Sequence, residues 1–194
     1  MNYKRHAQPT GYVVLNFRHG PMTVIGGPFD AYQKGIGVCL EARSRKASQS
    51  QIPFPVPDFE APTVAQLEEK LAEIMRWHKS EPTEPVFVGC LGGRGRTGTV
   101  IAALVRLAAF DKWGAMDGAT AVEWTRDNFH PDAVETEEQQ ALVGLFSPAR
   151  VFVMMAQREM CSTEQVTEQV KEVSNTTRKN KGLGALIRRF CLPK

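Results

Sequence analysis

Apolar positions along the chain follow two rhythms. Near the N-terminus, "GYVVLNF" (11–17), "MTVIGG" (22–27) and "GIGVCLEA" (35–42) are short β-type runs separated by Gly and Pro turn signals. "QIPFPVPDFEAPT" (51–63) follows, and its four prolines exclude both a helix and a central strand, so it reads as a structured loop. The period then lengthens. Val64, Leu67, Leu71 and Ile74 recur at helical spacing behind Thr63 and Gln66, which stand in capping-box positions. "EPVFVGC" (84–90) reads as a short buried strand and "TGTVIAALVRLAAF" (97–110) as a largely apolar helix; further helices are expected from Ala119 to about Asn128 and from Glu137 to Phe146. Strands followed by buried helices predict an α/β fold, a three-layer sandwich with a mainly parallel central sheet flanked by helices. Ligands in such folds sit outside the carboxyl ends of strands, which is where Cys90 falls.

The character changes after Pro148. "VFVMMAQREM" is apolar and Met-rich, the next stretch is polar with Val166, Val170 and Val173 on one helical stripe, and "LGALIRRFCLPK" is basic and apolar together. The expected organisation is a main domain over 1–147 and a helical, C-terminally basic extension over 148–194. The net charge of +3 is mild, but six Lys or Arg and no acid follow from Arg178 onward. Such an end can contact an anionic surface or partner. Cys191, fourth from the end, is followed by Leu, Pro and Lys, which fit a prenylation signal poorly. No apolar run approaches the ~18 residues of a membrane span, and the first residues lack a signal-peptide core, so the expected location is cytoplasmic. The four cysteines are scattered without a C-x-x-C pair, which predicts free thiols, Cys39 being a core residue.

"GCLGGRGRTGT" (89–99) admits three phosphate-binding readings. A nucleotide P-loop needs a lysine after its last glycine, and Thr99 follows Gly98. Gly93, Gly95 and Gly98 spell the dinucleotide fingerprint, but no second strand ending in an acid lies ~20 residues on, and Arg94 and Arg96 crowd the turn. Cys90 and Arg96 enclose five residues in the C-x(5)-R-[S/T] pattern of a thiol phosphatase. That reading uses every residue the others leave idle. A loop from strand to helix offers the amides of Leu91, Gly92, Gly93, Arg94 and Gly95 to a dianion, with the helix terminus behind them. Glycines 92, 93 and 95 let it curl. Arg96 can clamp two phosphate oxygens, Cys90 lies beneath the phosphorus, and the Thr97 hydroxyl is a donor to its sulfur. Arg94 is expected on the rim.

"VFVGCLGGRGRTGT" resembles the signature loop of the cysteine-dependent tyrosine and dual-specificity phosphatase superfamily. Two further motifs agree in order: Asp58 in "FPVPDFEAP", at the place of the general acid, and "AVETEEQ", which supplies Val134, Glu135, Thr136 and Gln139. The resemblance spans roughly residues 10–147. It implies a phosphatase of that fold working without metal or cofactor through a cysteinyl-phosphate. Cys90 would be the nucleophile, Arg96 the phosphate clamp, Asp58 the acid and then base, Thr97 an aid to thiolate release and Gln139 a guide for water. A phosphorylated protein, phosphotyrosine first, is the implied substrate; a phosphoinositide or RNA 5′-phosphate phosphatase, and a phosphate-binding module with an unreactive thiol, are the alternatives. The sequence departs from the family at Gly89, where a histidine is usual. That glycine suggests a backbone conformation that only glycine adopts cheaply.

Overall fold

A computed structural model describes residues 7–157. The chain divides into two units, Met1–Met155 and Ala156–Lys194. Most of the second unit lies outside the described residues, and with it most of the expected extension, its basic end and Cys191.

Five strands form one sheet. β1 (Gly11–Phe17) and β2 (Gly20–Pro28) make an antiparallel hairpin, with Phe17 paired to Gly20 across the turn. β3 (Ile36–Cys39), β4 (Ile52–Pro53) and β5 (Val86–Cys90) run parallel to β2, in the order β1-β2-β5-β3-β4. The proline-rich stretch thus yields only a two-residue strand at the sheet edge, where a missing N–H does least harm. β3 is shorter than its apolar run, because the chain turns after Cys39 toward the site described below.

β5 lies between β2 and β3, so the chain leaves neighbouring strands in opposite directions. From β2 it crosses one face through the 3₁₀ turn Phe29–Ala31. From β5 it enters α2 (Gly95–Lys112) on the other face. Diverging connections of this kind open a crevice at the strand ends, and Cys90 stands there.

Among the described residues the helices are α1 (Val64–Ser80), α2, α3 (Gly118–Asn128), α4 (Glu137–Leu145) and α5, residues 148–157. Three begin as their sequences dictate. Thr63 and Gln66 form a reciprocal capping box, Asp117 accepts from the Thr120 N–H, and Thr136 accepts from the Gln139 N–H. α2 is buried on nearly all sides, the reason its sequence is apolar all round. Val86, Val88 and Cys90 of β5 share one core with Leu67, Leu71, Ile101 and Leu104. Val151 and Met155 of α5 belong to the same core. Buried Glu68 of α1 fixes the start of α5: it accepts the Ser147 N–H at 2.9 Å and pairs with Arg150.

On the other face the third layer, among the described residues, is a turn rather than a helix. Phe29 stacks on Tyr32 at 5.2 Å between centroids, and Phe87 meets both rings edge-on. Elsewhere Arg106 donates to the carbonyls of Met116, Val143, Gly144 and Phe146 and lies over the Phe146 ring. One cation thereby satisfies the otherwise orphaned carbonyls at the end of α4.

His78, near the end of α1, is buried against Phe17 with neither ring nitrogen in a well-formed hydrogen bond. Burial pushes its pKa below the usual value, and the neighbouring Gly20 backbone offsets this only in part. The folded protein therefore binds fewer protons than the unfolded chain. Stability from this site is complete above about pH 6.5 and falls as the pH drops below it. His78→Phe is expected to flatten the loss of Tm between pH 7 and 5, and an unchanged slope would assign that loss to other groups.

Candidate active site

Cys90 ends β5, and the chain turns through Leu91–Arg94 into α2. The sulfur is held from two sides. The Gly93 N–H donates to Sγ at 3.2 Å, and the Thr97 hydroxyl donates to Sγ at 3.2 Å while accepting the Cys90 N–H at 3.1 Å. Unlike α1, α3 and α4, α2 has no side-chain cap, and its first turn carries no acid. Its leading N–H groups are left for an anion.

Arg96 is 5 % exposed and makes four contacts. Nη1 donates to the carbonyls of Val56 at 2.6 Å and Leu40 at 3.4 Å; Nη2 donates to Glu41 Oε2 at 3.2 Å and Asp58 Oδ1 at 2.8 Å. Glu41 carried no sequence signal, being one acid after a strand, 55 residues from Arg96. The Arg43 guanidinium, opposed by burial and aided by Arg96, holds its carboxyl at about 2. Glu41 is therefore a fixed anion at every pH near neutrality.

Asp58 lies on the proline-rich loop with its side chain 44 % exposed. Phe59 beside it has φ 61° and is exposed, an uncommon conformation for a bulky side chain. An open pocket of about 260 Å³ is lined by Asp58, Phe59, Cys90, Arg96 and Glu135, with the loop residues Leu91, Gly92, Arg94 and Gly95. Arg94, half exposed, lines the pocket 3.3 Å from exposed Asp132.

Gln139 is fully buried. Its Nε2 donates to the Glu60 carbonyl at 3.2 Å and its Oε1 accepts the Glu135 N–H at 2.9 Å. It thus ties the loop carrying Asp58 to the segment before α4. That segment presses close on α2: a Cβ on Gly98 would meet the Val134 nitrogen at 2.8 Å, and one on Gly95 would strike the Glu135 carboxylate. Buried Val134 has φ 60°, a strained value for a β-branched residue, and Arg126 holds it there through the carbonyls of Ala133 and Val134.

Gly89 needs no unusual dihedral, since positive φ in the loop falls on Gly93 instead. Space is what excludes a side chain. A Cβ at 89 would lie 2.8 Å from Phe29 Cα and 2.9 Å from the Gly27 oxygen, backbone atoms of the crossover and of the end of β2.

Sheet, crevice and thiol–guanidinium loop together define a phosphatase-type anion site on an α/β fold. Residues 41–143, more than half of the chain, match the family described as "Swiss Army Knife protein, DSP-PTPase phosphatase domain". The chain belongs to that family. Two uncharacterised proteins of Methanocaldococcus jannaschii are each 36% identical over 90 residues, 46% of this chain and 50% or 54% of their own. The chain spans about half the length of these curated relatives. Among solved structures, Tk-PTP in its active form is 26% identical, with 66% of this chain and 92% of that one covered and a TM-score of 0.48. TpbA of P. aeruginosa is 18% identical, with 80% and 99% covered and a TM-score of 0.49. No helix of the described residues is long and apolar enough to cross a membrane.

Filling the space behind the loop tests the steric account of Gly89. Gly89→Ala is expected to lower stability by about 1–3 kcal/mol, as overpacking against unyielding neighbours does. Gly89→His is expected to cost more. Chemical denaturation reads both, and a neutral Gly89→Ala would show that the Phe29 backbone yields.

Proposed function

We propose that the protein is a protein tyrosine or dual-specificity phosphatase acting through a cysteinyl-phosphate. The observation that carries this reading is the convergence of the Gly93 N–H and Thr97 hydroxyl on Cys90 Sγ in the pocket that also holds Arg96 and Asp58. The substrate phosphate takes the place of Asp58 on Arg96 Nη2, and its remaining oxygens meet the amides of the loop and α2. The Cys90 thiolate attacks phosphorus: an S–P bond forms, the ester P–O bond breaks, and protonated Asp58 gives its proton to the leaving oxygen. Asp58, now a carboxylate, takes a proton from water. The water oxygen bonds phosphorus, the S–P bond breaks, and the thiolate returns to the Thr97 and Gly93 donors.

Gln139 holds the acid loop through Glu60. Release of that carbonyl would free its amide to orient the attacking water. Exposed Phe59 and Leu91 flank the nucleophile with apolar surface. That surface suits the ring of an aryl phosphate, which favours phosphotyrosine over a phosphoinositide or RNA end.

Cys90→Ser is expected to abolish turnover of a generic aryl phosphate while phosphate-analogue binding persists, because a serine hydroxyl is a poor nucleophile at neutral pH. Substantial residual activity would remove the covalent route.

Asp58→Ala should lower kcat by about 10²–10⁴ for esters with poor leaving groups. The loss should shrink for leaving groups that need no proton. Equal losses across the series would assign the acid elsewhere.

A further inference from the structure

Glu135 lines the catalytic pocket and has no part in the reaction derived above. Its backbone is held firmly. Gln139 Oε1 accepts its N–H at 2.9 Å, and Val134 before it keeps a left-handed φ of 60° under the grip of Arg126. Backbone strain persists only where the surroundings over-determine it, and it gathers at functional sites. Here it aims one side chain. Glu135 lies across the first residue of α2: a Cβ on Gly95 would stand 2.8 Å from its Cδ and 3.1 Å from its Cγ, so only glycine leaves the room.

Asp58, Arg94, Arg96 and Glu135 are the charged side chains lining this pocket, and three of them are paired. Arg96 holds Asp58 as well as Glu41, and Arg94 lies 3.3 Å from Asp132. Glu135 is exposed, and its carboxylate makes no ion pair or hydrogen bond among the described residues. What offsets its charge is the uncapped start of α2, whose leading N–H groups favour an anion. In the proposed reaction those same N–H groups receive the substrate phosphate. Glu135 then faces a dianion without a cation of its own. Like charges so placed repel, and a ligand that carries its own cation relieves the repulsion.

We propose that Glu135 is a specificity residue, which receives a lysine or arginine side chain close to the phosphotyrosine of a peptide substrate. The proposal rests on the protein-phosphatase reading and adds a substrate class to it: peptides with a basic neighbour. Both side chains are long and flexible enough to reach back from an adjacent position. Arginine suits the site better, because its planar fork meets a carboxylate through two parallel hydrogen bonds. An inositol polyphosphate or an RNA end brings further anions instead, and Glu135 disfavours both.

Matched phosphotyrosine peptides carrying glutamine, lysine or arginine at each of the two positions on either side are assayed with the full chain, alongside a simple aryl phosphate. The readout is the ratio of kcat/KM for basic and neutral peptides within each variant, in which any loss of folded protein cancels. Wild type is expected to favour the basic peptide by about two- to fivefold at one position, arginine above lysine, with the preference fading in ~1 M salt. Glu135→Gln should bring the ratio to one, and Glu135→Lys should invert it. Glu135→Gln is also expected to tighten inhibition by inorganic phosphate by about two- to fivefold, because a repulsion has been removed. A merely structural role would not tighten it. Equal ratios in wild type with peptide turnover intact would overturn the proposal while leaving the phosphatase reading standing. So would a preference that survives Glu135→Gln, or phosphate inhibition that fails to tighten in that variant. Turnover of the aryl phosphate with none of any peptide would overturn the protein-substrate reading and the proposal together.

Discussion

One buried guanidinium holds the site together. Arg96 enters at the first turn of α2 and finds its acceptors on two other segments: Leu40 and Glu41 just after β3, and Val56 and Asp58 on the proline-rich loop. A cation this deep must be paired and hydrogen-bonded, since an uncompensated one costs several kcal/mol. The conformations of both segments are therefore tied to it. The prolines at 53, 55 and 57 help, because they remove backbone donors from a stretch whose carbonyls are needed as acceptors. β3 stops at Cys39 for the same reason: past that point the backbone serves Arg96 as well as the sheet.

The opposite side of the loop is set by steric exclusion rather than attraction. Gly27, Gly89 and Gly93 bring three backbone segments together behind Cys90, and the Phe29 backbone closes the space. A histidine before the cysteine, usual in the superfamily, has no room here. Support for the sulfur comes instead from the Thr97 hydroxyl and the Gly93 amide, the latter placed by a φ of 74° that suits glycine. The aromatic cluster of Phe29, Tyr32 and Phe87 holds the crossover in place, so packing on one face of the sheet fixes the anion loop at its end.

What the sequence made legible was what neighbouring residues decide. The capping box at Thr63 and Gln66 and the apolar α2 follow from spacing a few residues long. Cys90, Thr97 and Arg96 share one loop, so their meeting could be read from the loop alone. Asp58 emerged through its proline context and the resemblance to known phosphatases. Glu41 did not, because its partner is 55 residues away and an acid after a strand is commonplace. Gln139 was noticed, yet its contact with Glu60 spans 79 residues and depends on how the acid loop folds back. The reason for Gly89 was hidden similarly: a sequence shows that a side chain is absent, but not which backbone fills its place.

The two carboxylates on Arg96 are not equivalent, and the difference orders the proposed reaction. Glu41 is buried, held by two arginines and ionised down to about pH 2, which makes it the harder of the two carboxylates to displace. Asp58 is nearly half exposed and bound through one oxygen to Nη2 alone. In the proposed reaction an incoming phosphate exchanges with Asp58 and leaves the Glu41 bridge intact, so Arg96 keeps its orientation while one of its contacts changes. The freed carboxyl stays on a loop that Gln139 tethers at Glu60, two residues away, and so remains in the pocket beside the leaving oxygen. Asp58 thus has two tasks in the proposed reaction: it holds Arg96 Nη2 before the phosphate arrives and carries the proton afterwards.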